Sequence, residues 1–78
     1  MRRDHPHLKL LGEKIRQMRL KAGLSQLGAA FDAGVSYKHY QDLERGATNP
    51  TYWTLYLVAG GLRCSITDFL PEVGDNDN

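Results

Sequence analysis

The stretch Ser36-Tyr37-Lys38-His39-Tyr40-Gln41-Asp42-Leu43-Glu44-Arg45 concentrates hydrogen-bonding side chains at helical spacing. Wound at about 3.6 residues per turn, it puts Tyr40, Leu43 and Glu44 on one side and Lys38, Gln41, Asp42 and Arg45 on the other. Tyr37 and His39 flank the second side at its N-terminal end. Those outward groups match the edges of base pairs. Lys38 can donate to guanine O6 or N7, Gln41 can pair with adenine, Asp42 can accept from cytosine N4, and Tyr37 can lie against a thymine methyl. Plainer chemistry competes for two of them: Lys38 can neutralise a phosphate, and Asp42 can bond Lys38 one turn earlier. Arg45, Thr48 and Asn49, at the helix end and in the turn beyond, are candidate backbone clamps.

These residues need a rigid mount, and the flanking sequence supplies one. Residues 23–46 read as two short helices hinged at Gly34, which can take the positive φ that reverses the chain. Ser25 caps the first helix by accepting from its free amides, and Ser36 caps the second while also being placed to touch a phosphate. Upstream, Leu8, Leu11, Ile15, Met18 and Ala22 recur at steps of three and four, the core face of a helix ending at Gly23. Downstream, Gly46-Ala47-Thr48-Asn49-Pro50 is a turn. Thr51 or Asn49 can cap a fourth helix beginning near Pro50, with Tyr52, Leu55, Val58, Ala59 and Leu62 inward. Gly60-Gly61 weakens its end by about 1 kcal/mol per glycine, so it is expected to stop there. Ile66, Phe69 and Leu70 suggest a short fifth helix capped by Ser65.

At this point the chain resembles the lambda-repressor/Cro-type (XRE) helix-turn-helix regulators of prokaryotes and phages. The likeness covers residues 11–70 and rests on Leu11-Gly12, Ile15-Arg16 with Arg19, Gly23-Leu24-Ser25-Gln26, Ala30, Gly34-Val35-Ser36, Leu43-Glu44-Arg45-Gly46, Asn49-Pro50 and the run from Leu62 to Phe69. It implies an all-α, compact five-helix domain with the helix-turn-helix at helices 2 and 3. It further implies an ion pair between Arg19 and Glu44 tying helix 1 to helix 3, and a Gln26 that holds the DNA backbone. Three departures stand out. Ala29 replaces a usual leucine, Leu27-Gly28 replace an acidic or polar pair, and Tyr40 replaces a β-branched residue. Tyr40 and Phe31 are expected to fill the vacated core volume. The family's usual glycine after helix 4 falls where Arg63 stands.

Size and charge narrow the reading. A chain of 78 residues has room for one small domain. Net charge is only +1, but residues 1–45 hold nine Lys/Arg against five Asp/Glu, while residues 46–78 hold Arg63 against four acids. A basic front and an acidic back would orient the domain toward a polyanion. The expected organisation is a flexible basic arm over 1–7, the DNA-binding domain over 8–70 and a disordered acidic tail over 71–78. The start of the chain lacks the apolar run of a signal peptide or membrane span, which points to the cytoplasm. Cys64 reads as a small buried thiol. His5 and His7 lack a third nearby ligand, so no metal is expected.

Helix 4 is apolar on both sides. Trp53 and Leu57 lie opposite its core stripe with Tyr56 at the edge, and a second subunit over this face would account for them. Folding back of Leu70, Pro71 and Val73 over Trp53 is the alternative. The leading expectation is therefore a homodimeric, sequence-specific regulator of a double-stranded DNA operator, needing no cofactor, small-molecule ligand or membrane. The competing expectation is a protein-interaction module that keeps the fold but has lost DNA binding. An enzyme is not expected, since the sequence holds no nucleophile-base set, phosphate-cradling glycine loop or metal-spaced ligand cluster.

Overall fold

The computed structural model describes residues 6–70, which form α1 (Pro6–Lys21), α2 (Gln26–Ala33), α3 (Tyr37–Arg45), α4 (Tyr52–Leu62) and a single 3-10 turn (Ile66–Asp68). The fold is all-α with four α-helices among the described residues; the fifth helix expected near the C-terminus is only that 3-10 turn. The segment is too short to propagate an i→i+4 ladder. Ser65 still starts it, with its backbone N–H donating to the Asp68 carboxylate at 3.0 Å.

Each helix begins and ends for a local reason. Pro6 occupies the first position of α1, where its missing N–H costs nothing. Two residues of the expected arm are thus helical, and the rest of it lies outside the described residues, as does the expected tail over 71–78. Ser25 accepts from the Gly28 amide at 2.9 Å to start α2, Ser36 from the His39 amide at 3.0 Å to start α3, and Thr51 from the Thr54 amide at 3.1 Å to start α4. Gly34 ends α2 at φ 76°, ψ 28°, and its N–H reaches the carbonyls of Ala30 and Phe31. That reversal sets the angle between α2 and α3.

Ile15, Tyr40, Leu43, Val58 and Phe69 are the largest side chains fully enclosed, and Leu11, Ala29, Ala30, Ala33, Ala59 and Leu62 complete the core. α1 packs on α3, and α2 on α4. Two glycines make those approaches close. A β-carbon on Gly12 would lie 2.5 Å from the carbonyl oxygens of both Leu43 and Glu44, and one on Gly61 would lie 2.8 Å from the Ala33 nitrogen.

Several inward assignments are corrected. Tyr40 is buried as expected, but Phe31 is 83% exposed: α2 buries Ala29, Ala30 and Ala33, and Phe31 points away from that face. Tyr52, at the start of α4, is 70% exposed, and Leu70 is also outside the core. Ala22 lies beyond the end of α1 and is exposed. Cys64 is half-buried, with burial and then Asp68 pushing its thiol pKa up. α4 does not stop at Gly60-Gly61 but runs to Leu62, because the contact of Gly61 with α2 rewards helical geometry there. Arg63 then takes the left-handed conformation, φ 59°, ψ 45°, at the end of the helix.

Candidate nucleic-acid interface

The inner side of α3 is held by a closed set of polar contacts. Glu44 accepts from Arg19 Nε at 2.7 Å and from the Tyr40 hydroxyl at 2.6 Å on Oε2, and from Arg19 Nη2 at 3.1 Å and Gln26 Nε2 at 3.0 Å on Oε1. Four donors meet the roughly four acceptor sites of a carboxylate. The remaining Arg19 nitrogen, Nη1, donates to the Leu24 carbonyl at 3.0 Å. The side chains of Arg19 and Glu44 are 10% and 3% exposed, so the pair is buried. Burial pushes the Glu44 carboxyl up, but the bonds from Arg19, Tyr40 and Gln26 outweigh it and hold the group below the ordinary carboxylate range. The Glu44 bond raises the Arg19 pKa further, and burial followed by the bond to Glu44 drives the Tyr40 phenol well above its usual value.

This set joins three elements: Arg19 from α1, Gln26 from the first position of α2, and Tyr40 with Glu44 from α3. The bond from Gln26 to Glu44 and the role of the Tyr40 hydroxyl were missed by the sequence reading. The signal is present in the sequence, since Tyr40 and Glu44 stand four residues apart on one face, but core volume alone makes no use of the hydroxyl.

The outer side of α3 is polar and accessible. Lys38 and Arg45 converge on Asp42, with Lys38 Nζ at 3.1 Å from Oδ1 and Arg45 Nη2 bonded to the same oxygen. The Lys38 and Arg45 side chains are 75% and 63% exposed. Arg45 and then Lys38 hold the Asp42 carboxyl below its ordinary range. Gln26, Lys38, Gln41, Asp42 and Arg45 line one shallow depression. Tyr37 and Ser36 are exposed at the N-terminal end, with His39 half-buried beside them. In the turn after α3, Asn49 is exposed and Thr48 half-buried. The ten side chains singled out for DNA are thereby distributed over the start of α2, the length of α3 and the turn after it.

A different surface covers α4. Trp53 and Tyr56 stack at 5.3 Å between ring centroids, and Tyr52 and Tyr56 at 6.4 Å, all three rings being exposed. Leu57 is half-buried beside them. Tyr52 therefore belongs with the outward aromatics rather than with the core stripe. Among the described residues no group of three or more His, Cys, Asp or Glu is placed to hold a metal ion, and no helix is long and apolar enough to cross a membrane.

Two capped helices joined at a left-handed glycine, the second with its inner side locked and its outer side polar, define a helix-turn-helix domain. A family model described as helix-turn-helix matches residues 15–69. The chain is 39% identical over 57 residues to y4dJ of Sinorhizobium fredii, an uncharacterized HTH-type transcriptional regulator, covering 73% of this chain and 74% of that protein. It is 36% identical over 63 residues to the HTH-type transcriptional regulator DdrOP3 of Deinococcus deserti, covering 81% of this chain and 49% of that protein; it thus spans about half the length of this relative. Among solved structures, the restriction-modification controller protein C.AhdI from Aeromonas hydrophila superposes with a TM-score of 0.82 at 26% identity, covering 85% of this chain and 100% of that one. The clp gene regulator ClgR from C. glutamicum gives a TM-score of 0.73 at 28% identity, covering 78% and 79%. The chain belongs to the helix-turn-helix family, of the lambda-repressor/Cro type that its residue pattern resembles.

Proposed function

We propose that the chain is a cytoplasmic, sequence-specific regulator of transcription that binds double-stranded DNA as a homodimer, with α3 in the major groove. The observation that carries this reading is the two-sided character of α3. Its inner side is fixed to α1 and α2 through the buried Arg19–Glu44 pair, so its polar outer side is presented as a rigid probe. Lys38, Gln41 and Asp42 take the base edges with Tyr37 and His39 at the leading end, while Gln26, Ser36, Arg45, Thr48 and Asn49 take the sugar-phosphate backbone. Phosphates of a bound duplex would compete with Asp42 for Lys38 and Arg45. Trp53, Tyr56 and Leu57 form the dimer contact, which sets two copies of α3 about one helical turn of DNA apart. The regulator acts by occupying its operator, with no cofactor and no chemical step of its own.

Selection of duplexes from a random pool tests this directly. A palindromic site whose affinity falls steeply with salt is expected, and a pool that enriches no duplex would end the reading. Sedimentation showing only monomer at high concentration would remove the dimer.

A second reading, a protein-binding module on the same fold, draws on two observations. Asp42 engages both Lys38 and Arg45, and Phe31 with Leu27 leaves an apolar pair exposed on α2. A weak salt dependence with a protein partner and no duplex enrichment would favour it.

A further inference from the structure

Resting on the reading of α3 as a DNA probe, we infer that the Tyr40 hydroxyl is a positioning residue for the backbone contact of Gln26, acting through Glu44. Tyr40 is fully buried and never reaches the duplex side of α3. Its hydroxyl nonetheless ends on the same carboxylate that holds Gln26.

The argument is one of acceptor counting. An ionised carboxylate accepts only, so the Gln26 group facing Glu44 must be the amide nitrogen, and its carbonyl oxygen must face elsewhere. One amide hydrogen is used by Glu44 Oε1; the other is left to serve a phosphate oxygen, at a residue that also lines the depression beside Lys38, Gln41 and Arg45. On Oε2, Tyr40 and Arg19 Nε take both acceptor positions. Gln26 is therefore confined to Oε1. Without the phenol oxygen, Oε2 regains an open acceptor position on a side chain that is only 3% exposed, and the Gln26 amide is the mobile donor within reach of the carboxylate. It would then divide itself between the two oxygens, and its second hydrogen would lose a fixed direction. Arg19 cannot take up the slack, because its fork already spans both oxygens and its third nitrogen is bound to the Leu24 carbonyl.

This differs from a role in stability alone, which would change folding and leave Gln26 indifferent to Tyr40. The test is a double-mutant cycle of Tyr40→Phe and Gln26→Ala, read as affinity for the duplex selected above at one fixed salt concentration. Tyr40→Phe is expected to weaken binding about 3- to 10-fold, Gln26→Ala by about 10-fold, and the double variant no more than Gln26→Ala alone. Effects that multiply would overturn the assignment while leaving the regulator reading intact; a wild-type chain that selects no duplex would overturn both. Relaxation of the Gln26 side-chain amide in the free protein gives a readout independent of DNA, and its wild-type arm is independent of the variants' folding as well. The wild-type amide is expected to be rigid beside that of exposed Gln17, and to gain motion in Tyr40→Phe. A wild-type amide as mobile as that of Gln17 would overturn the assignment.

Discussion

The domain is held by two seams of opposite character. Where α1 and the start of α2 meet α3 the contact is polar and saturated: Arg19, Tyr40 and Gln26 leave the Glu44 carboxylate no acceptor to spare. Between α2 and α4 the contact is made of small apolar groups: α2 buries Ala29, Ala30 and Ala33, and Gly61 of α4 lies against the Ala33 backbone. Directional bonds fix a helix in rotation and along its axis, whereas alanine and glycine surfaces fix distance but resist sliding weakly. The seam that must aim α3 is the directional one. The seam that only has to close the core is not.

The largest expected effect breaks the first seam. Glu44→Ala strands a buried guanidinium as well as the Tyr40 hydroxyl, and a loss of about 3 to 5 kcal/mol follows from removing one partner of a buried pair. In a domain of this size each kcal/mol is worth about 4 to 8 °C of melting temperature, so calorimetry should show a collapse of the transition. A Glu44→Ala protein as stable as wild type would mean that the polar seam carries no load.

A methyl group placed in each seam compares them directly. Gly12→Ala puts its β-carbon 2.5 Å from two carbonyl oxygens on α3, and the ionic set prevents α3 from retreating. Gly61→Ala meets α2 at 2.8 Å from the Ala33 nitrogen, at the end of α2 away from the Gln26–Glu44 bond, where the surface facing Gly61 is apolar and can give. Both substitutions recover about 1 kcal/mol of helix propensity. Net destabilisation of about 1 to 3 kcal/mol is therefore expected for Gly12→Ala in denaturant titration, with a smaller loss for Gly61→Ala. The reverse order would show that the apolar seam is the stiffer one.

How much of this was legible in the sequence follows the same division. The caps at Ser25 and Ser36 and the hinge at Gly34 were readable because each is decided by groups within a few residues of chain. The Arg19–Glu44 pairing came from family likeness, and no local rule would have joined residues so far apart. Phe31 was misplaced because counting lost volume at Ala29 says that space must be filled but not from which direction. Tyr52 was misplaced because a first-turn residue of α4 can satisfy the spacing while projecting beyond the packed layer. The end of α4 was misread for a third reason. Propensity argued for a break at Gly60-Gly61, and the close approach of Gly61 to Ala33, invisible in one dimension, outweighed it.

Acid sharpens the comparison further, since only the polar seam titrates. Glu44 has a folded pKa below its unfolded value of about 4.3. Its contribution to stability is therefore complete above that value and is lost as pH falls through the folded pKa. Carboxylate titration followed by NMR should place Glu44 below the ordinary glutamate range, held there by the donors from Arg19, Tyr40 and Gln26. Stability that stays flat through the acid range in wild type and in Glu44→Gln alike would contradict the shift.

The smallest expected effect lies at the far end of the apolar seam. Arg63 closes α4 at φ 59°, a conformation in which a β-carbon costs about 1 to 2 kcal/mol. Glycine removes that strain but adds freedom to the unfolded chain, so Arg63→Gly should gain only about 0.5 to 1 kcal/mol. Because Arg63 follows α4 and belongs to none of the contacts that orient α3, duplex affinity should stay unchanged while the melting temperature rises by about 2 to 8 °C. A rise in stability accompanied by a change in affinity would show that the two seams are coupled, and that aiming α3 depends on the small-residue contact after all.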